Sequence, residues 1–275
     1  MQDLLVHPAV QSAAAPLMVS LMMAVMLWRA SARWQGLAIL AGFLTAMVLI
    51  TGFSLLPLTS TRKIILASLG LPLLALASEF MLKRPSVRMI VLTIIAAAAM
   101  PWIIWPVLSR MEMGEALPLM AGLMLYVAWS VVIFIAWENS PERIGSAALA
   151  MATGTGGAAM IGASALYGQL GFAVAAAMGG LLLRWMIAPG RNGFGLAAAI
   201  AVAAPLALIG AAATVYAKLP WTALPWLALI PLAARIPVAP RSSRWLRVPL
   251  MTVISMLPAI PALWLAWRAA GDVVY

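Results

Sequence analysis

The chain has no cysteine, one histidine and only seven acidic residues among its 275. Without cysteine there is no disulfide, no thiolate nucleophile and no Cys-type metal site, and the redox compartment is unreadable. The lone His7 precedes the first apolar run, and no Ser–His set, carboxylate pair or metal-ligand cluster appears in the chain. A hydrolase or metalloenzyme is therefore not expected, and no cofactor or metal ion is implied. An enzyme whose chemistry resides wholly in a bound cofactor stays open. Charge is scarce as well: 9% of residues are Asp, Glu, Lys or Arg, against about 25% in soluble domains.

Apolar residues fill the gap. They make up 65% of the chain, the mean hydropathy is +1.06, and apolar runs recur at about 20 residues, the length that crosses a ~30 Å hydrocarbon layer as helix. The expected fold is all-α, a polytopic transmembrane helical bundle. Runs bounded by charge or turn residues place ten spans at 10–28, 35–57, 64–82, 89–109, 116–137, 144–166, 169–189, 194–216, 219–235 and 248–268. The connections are short, so residues 1–275 form one integral membrane domain with no soluble part. Asp3 is the only charged residue ahead of the first run, so the cationic start of a cleavable leader is missing and that run is expected to stay.

Seventeen Lys and Arg give a net charge of +10. They stand singly or in twos and threes at span ends, as anchors for anionic lipid headgroups, and do not form the clustered basic face that nucleic acid requires. With ten spans, twelve cations including Arg29, Arg84, Arg184 and Arg247 fall on one side, and Arg62, Lys63, Arg110, Lys218 and Arg268 on the other. The positive-inside rule makes the first side cytoplasmic and puts both termini outside, in a bacterial-type inner membrane. Eleven of the twelve tryptophans fall near span ends, where indole prefers to lie, and only Trp129 is deep.

Small residues mark helix contacts, since membrane helices associate through close van der Waals packing. Ser146, Ala150, Gly154, Ala158 and Gly162 recur every four residues on the sixth span, Gly157 lies on an adjacent row, and the seventh offers Ala175 and Gly179. These two spans are expected to be the tightest pair. The Thr153-Gly154-Thr155-Gly156-Gly157 stretch lacks the preceding strand and following Lys-Ser/Thr of a phosphate loop, and reads as packing. Met18, Met22 and Met26 share one face; Cu(I) binding is conceivable there, but a pliable packing surface is the reading adopted.

Ionisable groups within a span are functional hypotheses by default. Glu79 reads either as an interfacial anchor beside Lys83 or as a cation or proton site. Arg184 lies close enough to a span end to snorkel. Ser140-Pro141-Glu142 reads as a helix start, with Ser140 as cap and Glu142 at the positive end of the dipole. Glu138 sits at a helix C-terminus, where an anion is disfavoured, and pairing with Arg143 would relieve it. Arg241, Arg244 and Arg247 make the run around Trp245 a lipid-headgroup segment.

Division after the fifth span gives two five-helix halves, 1–137 and 144–275, which an odd count forces into inverted orientation, as in many secondary transporters. Pro72 of the third span and Pro205 of the eighth interrupt apolar runs at roughly matching places, as do Pro101 and Pro106 of the fourth and Pro220, Pro225 and Pro231 of the ninth. Ten spans, both termini outside and proline-broken fourth and ninth helices resemble the plan of bile-acid and auxin-efflux-type carriers. The resemblance is architectural, implies a carrier, and transfers no residue.

The reading is a small secondary carrier or permease for a small neutral or amphiphilic solute, lined by Ser68, Pro72, Glu79, Trp129, Pro205 and Thr214. The alternative is a non-catalytic membrane subunit or assembly factor of a larger complex, which explains the scarcity of intramembrane polar groups better and the paired prolines worse.

Overall fold

The computed structural model describes residues 7–53, 56–162, 164–189, 193–238 and 243–271. These residues form eleven α-helices and no strand. A π-helical turn, Val10–Ala14, leads into α1 (Ala15–Met26), and a short 3₁₀ turn, Ala32–Trp34, into α2 (Gly36–Thr51). Then come α3 (Ser60–Met81), α4 (Pro85–Leu108), α5 (Met113–Ala136), α6 (Pro141–Ile161), α7 (Ala165–Ile187) and α8 (Gly195–Tyr216). The chain ends in α9 (Ala223–Ala233), α10 (Arg244–Met256) and α11 (Ala259–Gly271). The protein is an all-α membrane bundle. Among the described residues seven helices are long and apolar enough to cross a bilayer, α2 with the turn before it (Ala32–Thr51) and α3 to α8, while α10 and α11 reach that length only when taken together across a 43° bend.

Three of the ten expected spans differ from the simple picture. The first holds only a shorter apolar helical stretch, Val10–Met26, made of the π-helical turn and α1. The ninth contains only the 11-residue α9, about 16 Å at 1.5 Å per residue, because Pro220, Pro225 and Pro231 withdraw backbone donors across that run. The tenth is two helices that part around Leu257 and Pro258. In contrast, α3, α4 and α8 run unbroken through Pro72, through Pro101 and Pro106, and through Pro205. The proline-broken third, fourth and eighth helices expected from sequence are therefore continuous; their neighbours supply the packing that holds each helix through its missing N–H.

The core is built around α8, buried from Gly195 to Ala213 and packed against α2, α3, α4, α5, α6 and α7. Its start is fixed from two sides. The Phe194 and Gly195 amides donate to the Glu138 carbonyl at 3.1 and 3.2 Å, and Gly195 takes φ +80° with its missing Cβ position 2.7 Å from the Ala32 carbonyl oxygen. Only glycine suits that place.

α6 and α7 make the most extensive helix–helix contact. A Cβ on Gly171 would lie 2.8 Å from the Gly156 Cα, and one on Gly145 would meet Leu182 at 2.7 Å. The four-residue row on α6 faces elsewhere. Gly154 meets Ala259 and Ile230, the Ser146 hydroxyl donates to the Val248 carbonyl at 3.2 Å, and Gly157 on the adjacent row meets Leu263, so this side of α6 carries α9, α10 and α11. Ala150 is fully buried, Gly162 abuts the Ala217 carbonyl after α8, and Gly179 has only Leu149 near it, at 3.9 Å.

The helix ends grouped by charge meet in space. Trp34 packs on Phe80, Arg184 over Trp28, and Arg143 and Arg235 over Trp137, while Arg247 pairs with Glu142. At the opposite ends Lys63 lies over Trp102 and Ser60 donates to the Tyr216 hydroxyl. One face of the bundle is thus rich in cations and indoles.

Candidate functional site

Three features collect the chemistry. The first is an apolar groove of about 780 Å³ between α5 and α9, within the ~300–1,000 Å³ of small-molecule sites. Gly122, Leu125, Tyr126 and Trp129 form one wall, and Trp221, Pro225, Ala228 and Leu229 the other. A Cβ on Gly122 would meet nothing within 4 Å, so the groove is open at that point. Two indoles hold α9 in place: Trp129 Nε1 of α5 donates to the Ala228 carbonyl at 3.1 Å, and Nε1 of Trp137, just after α5, to the Pro231 carbonyl at 3.3 Å. Beneath the groove the Tyr126 hydroxyl is buried beside Thr155 and against Gly210, and neither hydroxyl makes a hydrogen bond of standard geometry.

The second feature lies at the cation-rich face, where Glu138 is half-buried. Burial raises its carboxyl above the ordinary glutamate value, the Glu79 charge raises it further, and Arg88 opposes both. Arg143 instead stacks over Trp137 at 4.8 Å, so the Glu138–Arg143 pairing expected from sequence is replaced by the Glu79–Glu138–Arg88 group. Ser140 occupies the cap position of α6, yet its side chain makes no capping hydrogen bond. Glu142, beyond serving the helix dipole, receives Arg247 at 3.0 and 3.1 Å.

The third is a pocket of about 240 Å³ between the C-terminal ends of α1 and α7, bordered by Arg29, Gln35, Arg184 and Trp185.

The proposed lining residues do not meet at one place. Ser68, Pro72 and Pro205 are buried along the packed α3–α8 region, with the Ser68 hydroxyl lacking a partner. Thr214 donates to the Ala211 carbonyl within α8 at 2.7 Å. Glu79 belongs to the acid group at the cation-rich face, and Trp129 to the groove. Of the headgroup arginines, Arg244 opens α10, Arg247 binds Glu142, and Arg241 lies outside the described residues. Among the described residues no three His, Cys, Asp or Glu side chains form a metal-binding group.

Tyr126 and Gly122 were not singled out by sequence reasoning. Tyr126 carried a signal, a phenol in mid-span, whereas Gly122 looked like any small residue facing lipid. Compared with models of known protein families and with curated protein sequences, the chain matches none.

Proposed function

We propose that this membrane protein is a small secondary carrier for an amphiphilic solute whose apolar part sits in the α5–α9 groove. The observation that carries the reading is the groove itself, an open apolar cleft flanked by the indoles of Trp129 and Trp221. An apolar tail recovers its transfer free energy there, about 25 cal/mol per Å² buried. The short α9 is the moving wall, because 11 residues containing Pro225 and Pro231 form fewer internal hydrogen bonds than its neighbours. The two five-helix halves are the proposed framework, interlocked through α8. The cation-rich face is proposed to be cytoplasmic in an inner-type membrane, with both termini on the other side.

The test is transbilayer movement of a fluorescent single-chain amphiphile in vesicles holding the purified protein. Wild type should exceed protein-free vesicles, and Gly122→Leu, whose Cβ enters open space in the groove, should return the rate to background while the protein stays folded. Equal rates in both variants remove the groove from the mechanism.

The subunit or assembly-factor reading is favoured by one observation, the closed packing of Ser68, Pro72 and Pro205 where a midplane cavity would lie. A protein of that kind gives no flux in either variant.

A further inference from the structure

Trp28-Arg29 ends the α1 segment and Arg184-Trp185 lies in the last turn of α7, so two Arg–Trp pairs from distant parts of the chain meet at one corner of the cation-rich face. The Arg184 guanidinium carbon is 5.0 Å and that of Arg29 5.4 Å from the centre of the same Trp28 ring. The indole attracts both cations through its negative π face. It does not cancel their repulsion. The one ion pair recorded among the described residues joins Arg247 to Glu142, so neither arginine has a carboxylate partner there.

The walls are fixed before any ligand arrives. Arg184 Nη1 donates to the Ala188 carbonyl at 2.9 Å, which orients its guanidinium and leaves its other donors for the pocket. Gln35 donates to the Leu27 carbonyl at 2.8 Å and holds the turn between α1 and α2. Trp185 packs edge-on against Phe194, and its buried indole N–H has no acceptor. Snorkelling explains one arginine at a helix end. It does not explain two on one ring beside a preformed pocket and an unpaired N–H.

We propose that this pocket binds a phosphate-type anion, presented as a phospholipid headgroup or as free phosphate. Arg29 and Arg184 supply charge-assisted hydrogen bonds, for which planar guanidinium donors are suited, and the volume of about 240 Å³ accommodates one phosphate group with its immediate ester substituent. The site is separate from the α5–α9 groove and does not depend on the carrier reading.

The test is thermal stabilisation and native mass spectrometry of the full chain in neutral detergent, with added phosphatidylglycerol, phosphatidylcholine or inorganic phosphate. Phosphatidylglycerol should raise Tm and form a retained one-to-one adduct, and phosphatidylcholine should do so far less. Arg184→Gln and Arg29→Gln should each weaken binding by about tenfold or more, the equivalent of one charge-assisted hydrogen bond. Trp185→Phe keeps an aromatic ring near Phe194 and removes the N–H together with part of the indole; it should weaken binding by a smaller factor. Arg84→Gln, an exposed cation on the same face, controls for general attraction to anionic lipid and should leave binding unchanged. Inorganic phosphate that competes with the lipid identifies a phosphate site, and lipid binding without such competition identifies a headgroup site. If no anion binds the wild-type protein, or if Arg84→Gln weakens binding as much as Arg184→Gln does, the proposal is overturned.

Discussion

The indole N–H of Trp129 on α5 donates to the Ala228 carbonyl of α9 at 3.1 Å, on the wall of the apolar groove. Trp129→Phe keeps a ring on that wall and removes the bond, so α9 should loosen. Stability should fall by about 0.5–1.5 kcal/mol, read as a lower Tm, and protease nicking near Trp221 should quicken.

Gly171 and Gly179 lie on the same helix but have different neighbours. Gly171→Ala forces a Cβ to within 2.8 Å of the Gly156 Cα and should destabilise the bundle by about 1–3 kcal/mol, as overpacking does. Gly179→Ala, whose new Cβ would have Leu149 at 3.9 Å, should be neutral or mildly stabilising. Thermal unfolding of the two variants side by side checks the α6–α7 contact.

Arg247 and Glu142 fasten α10 to the start of α6 through a partly exposed ion pair, 3.0 Å long. Exposed pairs of this kind contribute about 0–1 kcal/mol. Arg247→Ala and Glu142→Ala should each cost within that range, and a double-mutant cycle should return a coupling of similar size with the double variant no worse than the sum.

Glu138 gives the protein a pH-dependent stability of definite sign. Its carboxyl is raised in the folded state by burial first and by Glu79 second, against Arg88. Between the ordinary glutamate value and that raised value the native state holds a proton that the unfolded chain has released. Stability therefore falls as pH rises through this window and levels above it. Glu138→Gln should remove this component, measured as the slope of Tm against pH from the ordinary glutamate value upward.

Most of the helical plan is legible in the sequence because charges, prolines and indoles punctuate the apolar runs, as Lys83-Arg84-Pro85 does between α3 and α4. The exceptions have local causes. Only Thr222 and Arg235 flank α9 inside 219–235, too little to set it off from the apolar residues around it, and Pro258 lies within an apolar run, so each region reads as an ordinary span. The groove was illegible because Leu125 and Leu229 match any lipid-facing leucine; only the partner helix makes them walls. Pairings such as Arg184 with Trp28 join residues far apart in the chain, and no local pattern announces them. The α6 row beginning at Ser146 was visible as a packing face, but composition does not say which helix packs there.

The most direct test of the carrier account uses the absence of native cysteine. With Gly122→Cys and Leu229→Cys the protein holds two thiols, one on each wall of the groove. A reducible bis-thiosulfonate linker can then tie α5 to α9 in vesicles that are already moving a fluorescent amphiphile. The account predicts flux before linking, its loss when the walls are tied, and its return on reduction. Flux that persists with α5 and α9 tied together, or that is absent throughout, would contradict it.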